Sequence, residues 1–133
     1  MEKLIIRIEA TSDHFDSYAE NVDGVWGGGA TPQEALDRAL EAARIIAEEY
    51  PPEEVPAILL GEYQVVVHYD VASLLKHYGK IITMPALSRL TGINDKQLHH
   101  YIMGKSKPRP QRVAKIEAAL HKLGEELISL RLS

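Results

Sequence analysis

Leu87-Ser88-Arg89-Leu90-Thr91-Gly92-Ile93-Asn94-Asp95-Lys96-Gln97-Leu98 decides how the second half of this chain folds. It reads as two short helices joined by a tight turn. Thr83 caps the first helix, with Pro85 early in it, and Asn94 caps the second, Asp95 to Met103, which Gly104 ends. Gly92 supplies a residue that tolerates positive φ where the turn is too tight for a side chain. Ser88 is the small residue where the two helices cross. Ile93, Leu98 and Tyr101 are spaced to seat the second helix on the first.

Working outward, Asp70 caps a helix over Val71 to Tyr78, and Gly79 ends it. Lys105 to Pro110 is a basic, Pro-bearing loop. A fourth helix follows, with Val113, Ile116, Ala119, Leu120 and Leu123 at helical spacing. The tail Glu125 to Ser133 fits either a last helix or an alternating edge strand. Residues 71–133 are therefore expected to form an all-α domain.

This half resembles the Cro/C1-type helix-turn-helix family from about Val71 to Leu127, including the ending Tyr101-Ile102-Met103-Gly104-Lys105-Ser106-Lys107-Pro108. The resemblance implies that Asp95 to Met103 is a recognition helix whose start enters the DNA major groove. Base contact then falls to Asp95, Lys96 and His100, with His99 and Gln97 as lesser candidates. Lys96 can donate to guanine O6 and N7, and Asp95 can accept from cytosine N4. Asp95 reads equally as an acid favoured by the helix dipole, and Lys96 as a solvated charge. His99 and His100 are adjacent and cannot face the same way. Lys105, Lys107, Arg109, Arg112 and Lys115 become phosphate contacts, or else an ordinary basic loop. Met84 and Pro85 stand where the family commonly carries a polar groove-contacting residue.

The first half follows a different period. Lys3 to Ala10 alternates as a strand, with Leu4, Ile6 and Ile8 on one face and Lys3, Arg7 and Glu9 on the other. Thr11 to His14 turns into a second strand, Phe15 to Asn21. Val22-Asp23-Gly24 turns again, and Val25-Trp26 opens a third. Gly27-Gly28-Gly29 reads as a strand-to-helix joint. Thr31, Pro32 and Glu34 carry the capping-box pattern of a helix that runs to about Tyr50. Its apolar stripe is Leu36, Ala39, Leu40, Ala43, Ile46 and Ala47, and Pro51-Pro52 stops it. Glu53 to Leu60 allows one more helical turn, and Tyr63 to Tyr69 is a fourth strand. Residues 1–70 are thus βββαβ, and the chain as a whole is α+β.

Composition narrows the function classes. The 133 residues include 15 Lys+Arg, 19 Asp+Glu and no Cys, enough for one ordinary domain or two small ones. Without Cys there is no disulfide framework, Cys-rich zinc site or thiol nucleophile. No apolar run approaches the roughly 20 residues of a membrane span. The opening MEKLIIRIEA has no cleavage site, so a soluble cytoplasmic protein is expected. The overall charge of −4 hides an asymmetry: residues 1–70 carry 4 basic and 15 acidic groups, residues 71–133 carry 11 and 4. A basic half is the electrostatic footprint of nucleic-acid binding, whereas an acidic one repels phosphate and suits a basic protein. Simple attraction between the halves is the plainer account.

Catalysis finds little support in the acidic half. A nuclease needs carboxylates converging on two metal ions, yet the first strand has no acid at its middle and Asp13, Asp16, Glu20 and Asp23 sit in or beside turns. His14 and His68 have no evident nucleophile to activate. The three glycines lack the following Lys-Ser/Thr of a phosphate loop. No enzyme activity, cofactor or metal is expected.

Phe15-Asp16-Ser17-Tyr18-Ala19-Glu20-Asn21, then Gly24-Val25-Trp26-Gly27-Gly28-Gly29-Ala30-Thr31-Pro32-Gln33-Glu34-Ala35-Leu36, is similar to the HicB antitoxin family. Gly29, Thr31, Glu34 and Ala35 match its Gly-x-Thr-x-x-Glu-Ala helix opening, and Ala30 and Trp26 depart from it. The resemblance spans about residues 3–70. It implies a partial ribonuclease-H-like fold without catalysis, ahead of the helix-turn-helix. It also implies the antitoxin half of a type II toxin–antitoxin pair. Such a protein blocks a small basic mRNA-degrading HicA-like toxin and represses its own operon. Candidate toxin contacts are Asp16, Glu20, Asp23 and Glu41, with Tyr18 and Trp26 as aromatic anchors. Trp26 reads as well as a core residue over the helix. A palindromic operator calls for a homodimer or higher oligomer, its seam placed at the fourth helix and the tail Leu127, Ile128, Leu130 and Leu132. The alternative is a one-component transcriptional regulator whose N-terminal domain senses a small ligand or another protein, which requires a concave apolar cavity.

Overall fold

The computed structural model describes all 133 residues and divides the chain into two compact units, Met1–Ser73 and Leu74–Ser133. It is mixed α/β, with one four-stranded mixed sheet and six α-helices.

The first unit is built on alternation. Strand β1 (Glu2–Ala10) turns into β2 (Phe15–Ala19), followed by β3 (Trp26–Gly29), helix α1 (Pro32–Glu49), a 3₁₀ turn (Pro52–Glu54), a single-turn helix α2 (Ala57–Leu60) and β4 (Tyr63–Tyr69). The sheet order is β3-β2-β1-β4. β1 and β2, and β2 and β3, are antiparallel, while β4 returns parallel to β1. A parallel return needs a crossover, and α1 supplies it across one face. Leu4, Ile6 and Ile8 point to that face and are wholly buried with Val25, Ala39, Ala43, Val55 and Leu59.

β2 stops at Ala19, two residues short of the expected end. Asn21 instead serves β1: its side chain accepts from Ile5 N–H (3.1 Å) and donates to the Lys3 carbonyl (2.7 Å). The three glycines are strand residues rather than a joint. Gly27, Gly28 and Gly29 pair with Ser17, Asp16 and Phe15. For Gly27 and Gly29 the reason is packing, since a Cβ would lie 2.6 Å from Ala39 N and 2.8 Å from Ala35 N respectively. α1 can approach this closely because its buried positions are small: Ala35, Ala39 and Ala43. Leu36 and Leu40 flank the core only partly buried. At its start, Thr31 Oγ1 accepts from Glu34 N–H at 3.1 Å, but the Glu34 carboxylate reaches Arg38 (2.7 Å) rather than returning to the cap.

The second unit begins inside helix α3 (Val71–Tyr78). The first turn of α3 belongs to the first unit because Ser73 Oγ accepts from Ala10 N–H at 2.7 Å. Gly79 ends α3 by close approach rather than a left-handed turn: a Cβ there would meet the Leu75 carbonyl oxygen at 2.5 Å, and its φ is not positive. Helices α4 (Met84–Thr91), α5 (Asp95–Ile102) and α6 (Pro110–Ser129) follow, with α5 and α6 both packed on α4. Leu75, Leu87, Ile93, Leu98, Tyr101 and Ile116 form their buried centre. Of the two leucines of α4, Leu87 is buried and Leu90 is exposed. The tail is helix rather than strand: α6 continues through Gly124 to Ser129. The four residues after it lie outside any element.

Candidate nucleic-acid interface and acidic sheet face

In the second unit, the geometry starts at the turn between α4 and α5. Thr83 accepts from Ala86 N–H (3.3 Å), Gly92 adopts φ +73 at the end of α4, and Asn94 accepts from Lys96 N–H (2.8 Å). Thr91 adds a buried bracket the residue pattern does not announce: its Oγ1 donates to the Leu87 carbonyl and accepts from Ile93 N–H. Leu98 and Tyr101 then take the inner side of α5. Asp95, Lys96 and His99 are left on the outer side, with His100 half-buried. Gln97 is committed elsewhere, donating to Ser106 Oγ at 3.0 Å and so fastening the following loop to α5. Gly104, at φ +73, closes α5 with Lys105 N–H donating to the His100 carbonyl.

Beyond that cap, Lys105, Lys107, Arg109, Arg112 and Lys115 are all exposed. Lys115 reaches back to the α4–α5 turn, where its Nζ would lie 3.4 Å from a Cβ on Gly92. None of the 11 Lys and Arg residues of this unit forms an ion pair, because every ion pair in the chain falls between residues 7 and 48. Its cations therefore remain available to an external anion.

The first unit shows the reverse. All three of its arginines are engaged: Arg7 with Glu9 and Glu20, Arg38 with Glu34, and Arg44 with Glu41 and Glu48. The remaining carboxylates leave it acidic. The sheet face away from α1 carries Arg7, Tyr18 and Trp26 in one cross-strand row and Glu9, Asp16 and Gly28 in the next. Trp26 is 69% exposed, so its reading as core fails; the neighbouring inward positions are Val25 and Gly27. Tyr18, 39% exposed, donates to Glu9 (3.3 Å), and its hydroxyl is held above its usual pKa by desolvation and by the Glu9 charge. Asp16, Tyr18, Glu20 and Trp26 thus share one face, and Asp23 lies exposed in the turn before β3. Glu41 does not join them. It sits on α1 across the sheet, bound to Arg44, which lowers its pKa.

His14 lies between two carboxylates, with Nδ1 2.7 Å from Asp13 and Nε2 2.9 Å from Asp16. These bonds raise its pKa and lower that of Asp13. The ring borders a shallow hollow of about 590 Å³, floored by Gly27–Gly29 and edged by Trp26 and Arg38. The closeness of His14, the last residue of the β1–β2 turn, to Asp16 was legible only as a separation of two residues. The bond from Arg38 to the Gly28 carbonyl (2.7 Å) was not, because it crosses from helix to strand. No three His, Asp or Glu side chains converge to hold a metal ion.

No helix is long and apolar enough to cross a membrane. Comparisons with protein-family models, with curated proteins and with solved structures each return no match to this chain.

Proposed function

We propose that this chain is an antitoxin-type repressor. In this reading, the second unit is a Cro/C1-type helix-turn-helix that binds operator DNA, and the first is a HicB-like, partial ribonuclease-H-like module that blocks a small basic ribonuclease toxin in the cytoplasm. The observation that carries it is the division of charge. One unit has 11 Lys and Arg in no ion pair, with Lys96, Lys105, Lys107, Arg109, Arg112 and Lys115 on or after the second helix of a capped pair, and the other neutralises its arginines internally while presenting carboxylates beside two exposed aromatics. Unpaired Lys and Arg near helix N-termini suit phosphate. Carboxylates beside aromatic rings suit the RNA-binding surface of a cationic nuclease, which they occupy by resembling its substrate in charge. The sensing alternative calls for an enclosed apolar cavity; the hollows in the first unit, beside β3 and beside Met1 to Ile5, are open and edged by charged groups. A two-fold operator would be matched by a dimer, with the exposed Leu127, Ile128, Leu130 and Leu132 as its seam.

The test is a gel-shift titration with the DNA upstream of the chain's own reading frame, together with co-expression of any small basic protein encoded beside it. Sequence-preferring binding that weakens steeply with salt, and a stable complex that silences ribonuclease activity, are expected. Binding without preference for that DNA and no complex with such a neighbour would overturn the reading.

A further inference from the structure

The two edges of the sheet are treated differently. β3 is blunt: four residues long, three of them glycine, with the Gly28 carbonyl already taken by Arg38. β4, on the opposite edge, is seven residues long and pairs with β1 alone. It contains no Pro, Gly, Lys, Arg, Asp or Glu, the usual devices that keep an edge from pairing. The core is also unfinished there. Leu4, Ile6 and Ile8 of β1 retain no surface, whereas Val65 and Val67, beside them in register and packed on the same core, stay partly exposed.

The sequence of β4 says what completes it. Tyr63-Gln64-Val65-Val66-Val67-His68-Tyr69 reads nearly the same in both directions. We propose that β4 pairs antiparallel with β4 of a second copy about a two-fold axis through Val66, extending two four-stranded sheets into one of eight strands. In that register, each Tyr63 faces Tyr69 of the second copy, Gln64 faces His68, Val65 faces Val67, and Val66 faces itself. Residues opposite each other in a ladder share a face, so the Val65–Val67 pairs extend the buried side and the Gln64–His68 pairs stay on the outer one. An isologous contact requires this self-complementarity, and β-branched and aromatic cross-strand pairs are the stabilising kind. Glu62 and Asp70 flank the strand and would meet across the axis at both ends, so the dimer tightens as salt rises. The pairing is independent of the DNA and toxin readings.

The chain has no Cys, so cross-linking reports register cleanly. In full-length protein, Val66→Cys is expected to give a covalent dimer under mild oxidation, since directly opposed strand residues fall within disulfide reach. Gln64→Cys and His68→Cys alone place like residues about 13 Å apart and stay uncross-linked, whereas their mixture cross-links. Val66→Lys, on the outer face, sets like charges on the axis and is expected to halve the mass by light scattering at unchanged circular dichroism. A Val66→Cys protein that stays uncross-linked, or a Gln64→Cys protein that cross-links as readily as the mixture, overturns the proposal. So does a mass unmoved by Val66→Lys.

Discussion

A methyl group on Gly29 would sit 2.8 Å from the amide nitrogen of Ala35, and one on Gly27 equally inside the backbone at Ala39. Strand main chain lies directly against the helix, on its backbone and on the Cβ atoms of Glu34 and Arg38. Ser17, buried beneath, donates to the Ala35 carbonyl at 2.7 Å and ties β2 to the same helix. Gly27→Ala and Gly29→Ala are therefore expected to destabilise the first unit by about 3 kcal/mol each, the upper part of the overpacking range, because backbone rather than a flexible side chain must yield. Gly28→Ala faces outward, 3.5 Å from Asp16 Oδ1, and serves as the control, within about 0.5 kcal/mol of the parent as surface changes usually are. Urea denaturation of the three variants checks the ordering.

At the α4–α5 turn the constraint is conformational rather than steric. Gly92 holds φ +73, and the atoms a Cβ would meet are the flexible end of Lys115. Gly92→Ala should cost about 1–2 kcal/mol, the left-handed penalty of an L-residue. Gly92→Asn should recover part of it. Thermal unfolding of both variants distinguishes this from a packing defect, which Asn would worsen.

His14 titrates between two acids. Because the hydrogen bonds it donates to Asp13 and Asp16 raise its folded pKa, the stability it contributes is complete below the unfolded value near 6.5 and is lost as pH rises through the higher folded value. Asp13 has the opposite sign: its pKa is lowered, so its contribution is present above the unfolded value and lost as pH falls. A histidine NMR titration should show a midpoint for His14 above 6.5, and Asp16→Asn should lower it.

On the proposed DNA surface, phosphate and base contacts separate by salt and by sequence. Lys105→Ala, Lys107→Ala and Arg109→Ala should each flatten the salt dependence by about 0.9 in log–log slope while leaving sequence preference intact. The Lys96→Ala, His100→Ala double variant should lose operator discrimination and keep its fold. Gel shifts at several salt concentrations, on cognate and scrambled duplexes, separate the two effects.

On the acidic face, Trp26→Ala and Tyr18→Ala should leave thermal stability within about 0.5 kcal/mol, because both rings are exposed, yet weaken a complex with a basic partner by about 2 kcal/mol, as buried aromatic anchors do. Calorimetric titration of the partner, beside a thermal melt of the free chain, reads both quantities.

The residue order alone determined the local features. The caps at Thr31, Thr83 and Asn94, the positive φ of Gly92, the alternation of β1 and the Val- and Tyr-rich run of β4 depend on neighbours within one turn or one pleat, and the division of charge is a count along the chain. Each could be read where it stands. Tertiary structure alone decided the rest. Gly27–Gly29 are strand because they pair with β2, Trp26 faces out because Val25 and Gly27 face in, and α6 carries the tail on as helix to Ser129. Arg38 closes one sheet edge while β4 forms the other, a difference invisible until the order β3-β2-β1-β4 is known. These outcomes rest on contacts between residues far apart in the chain, and the closeness of two backbones is a property of the pair that neither sequence segment carries by itself.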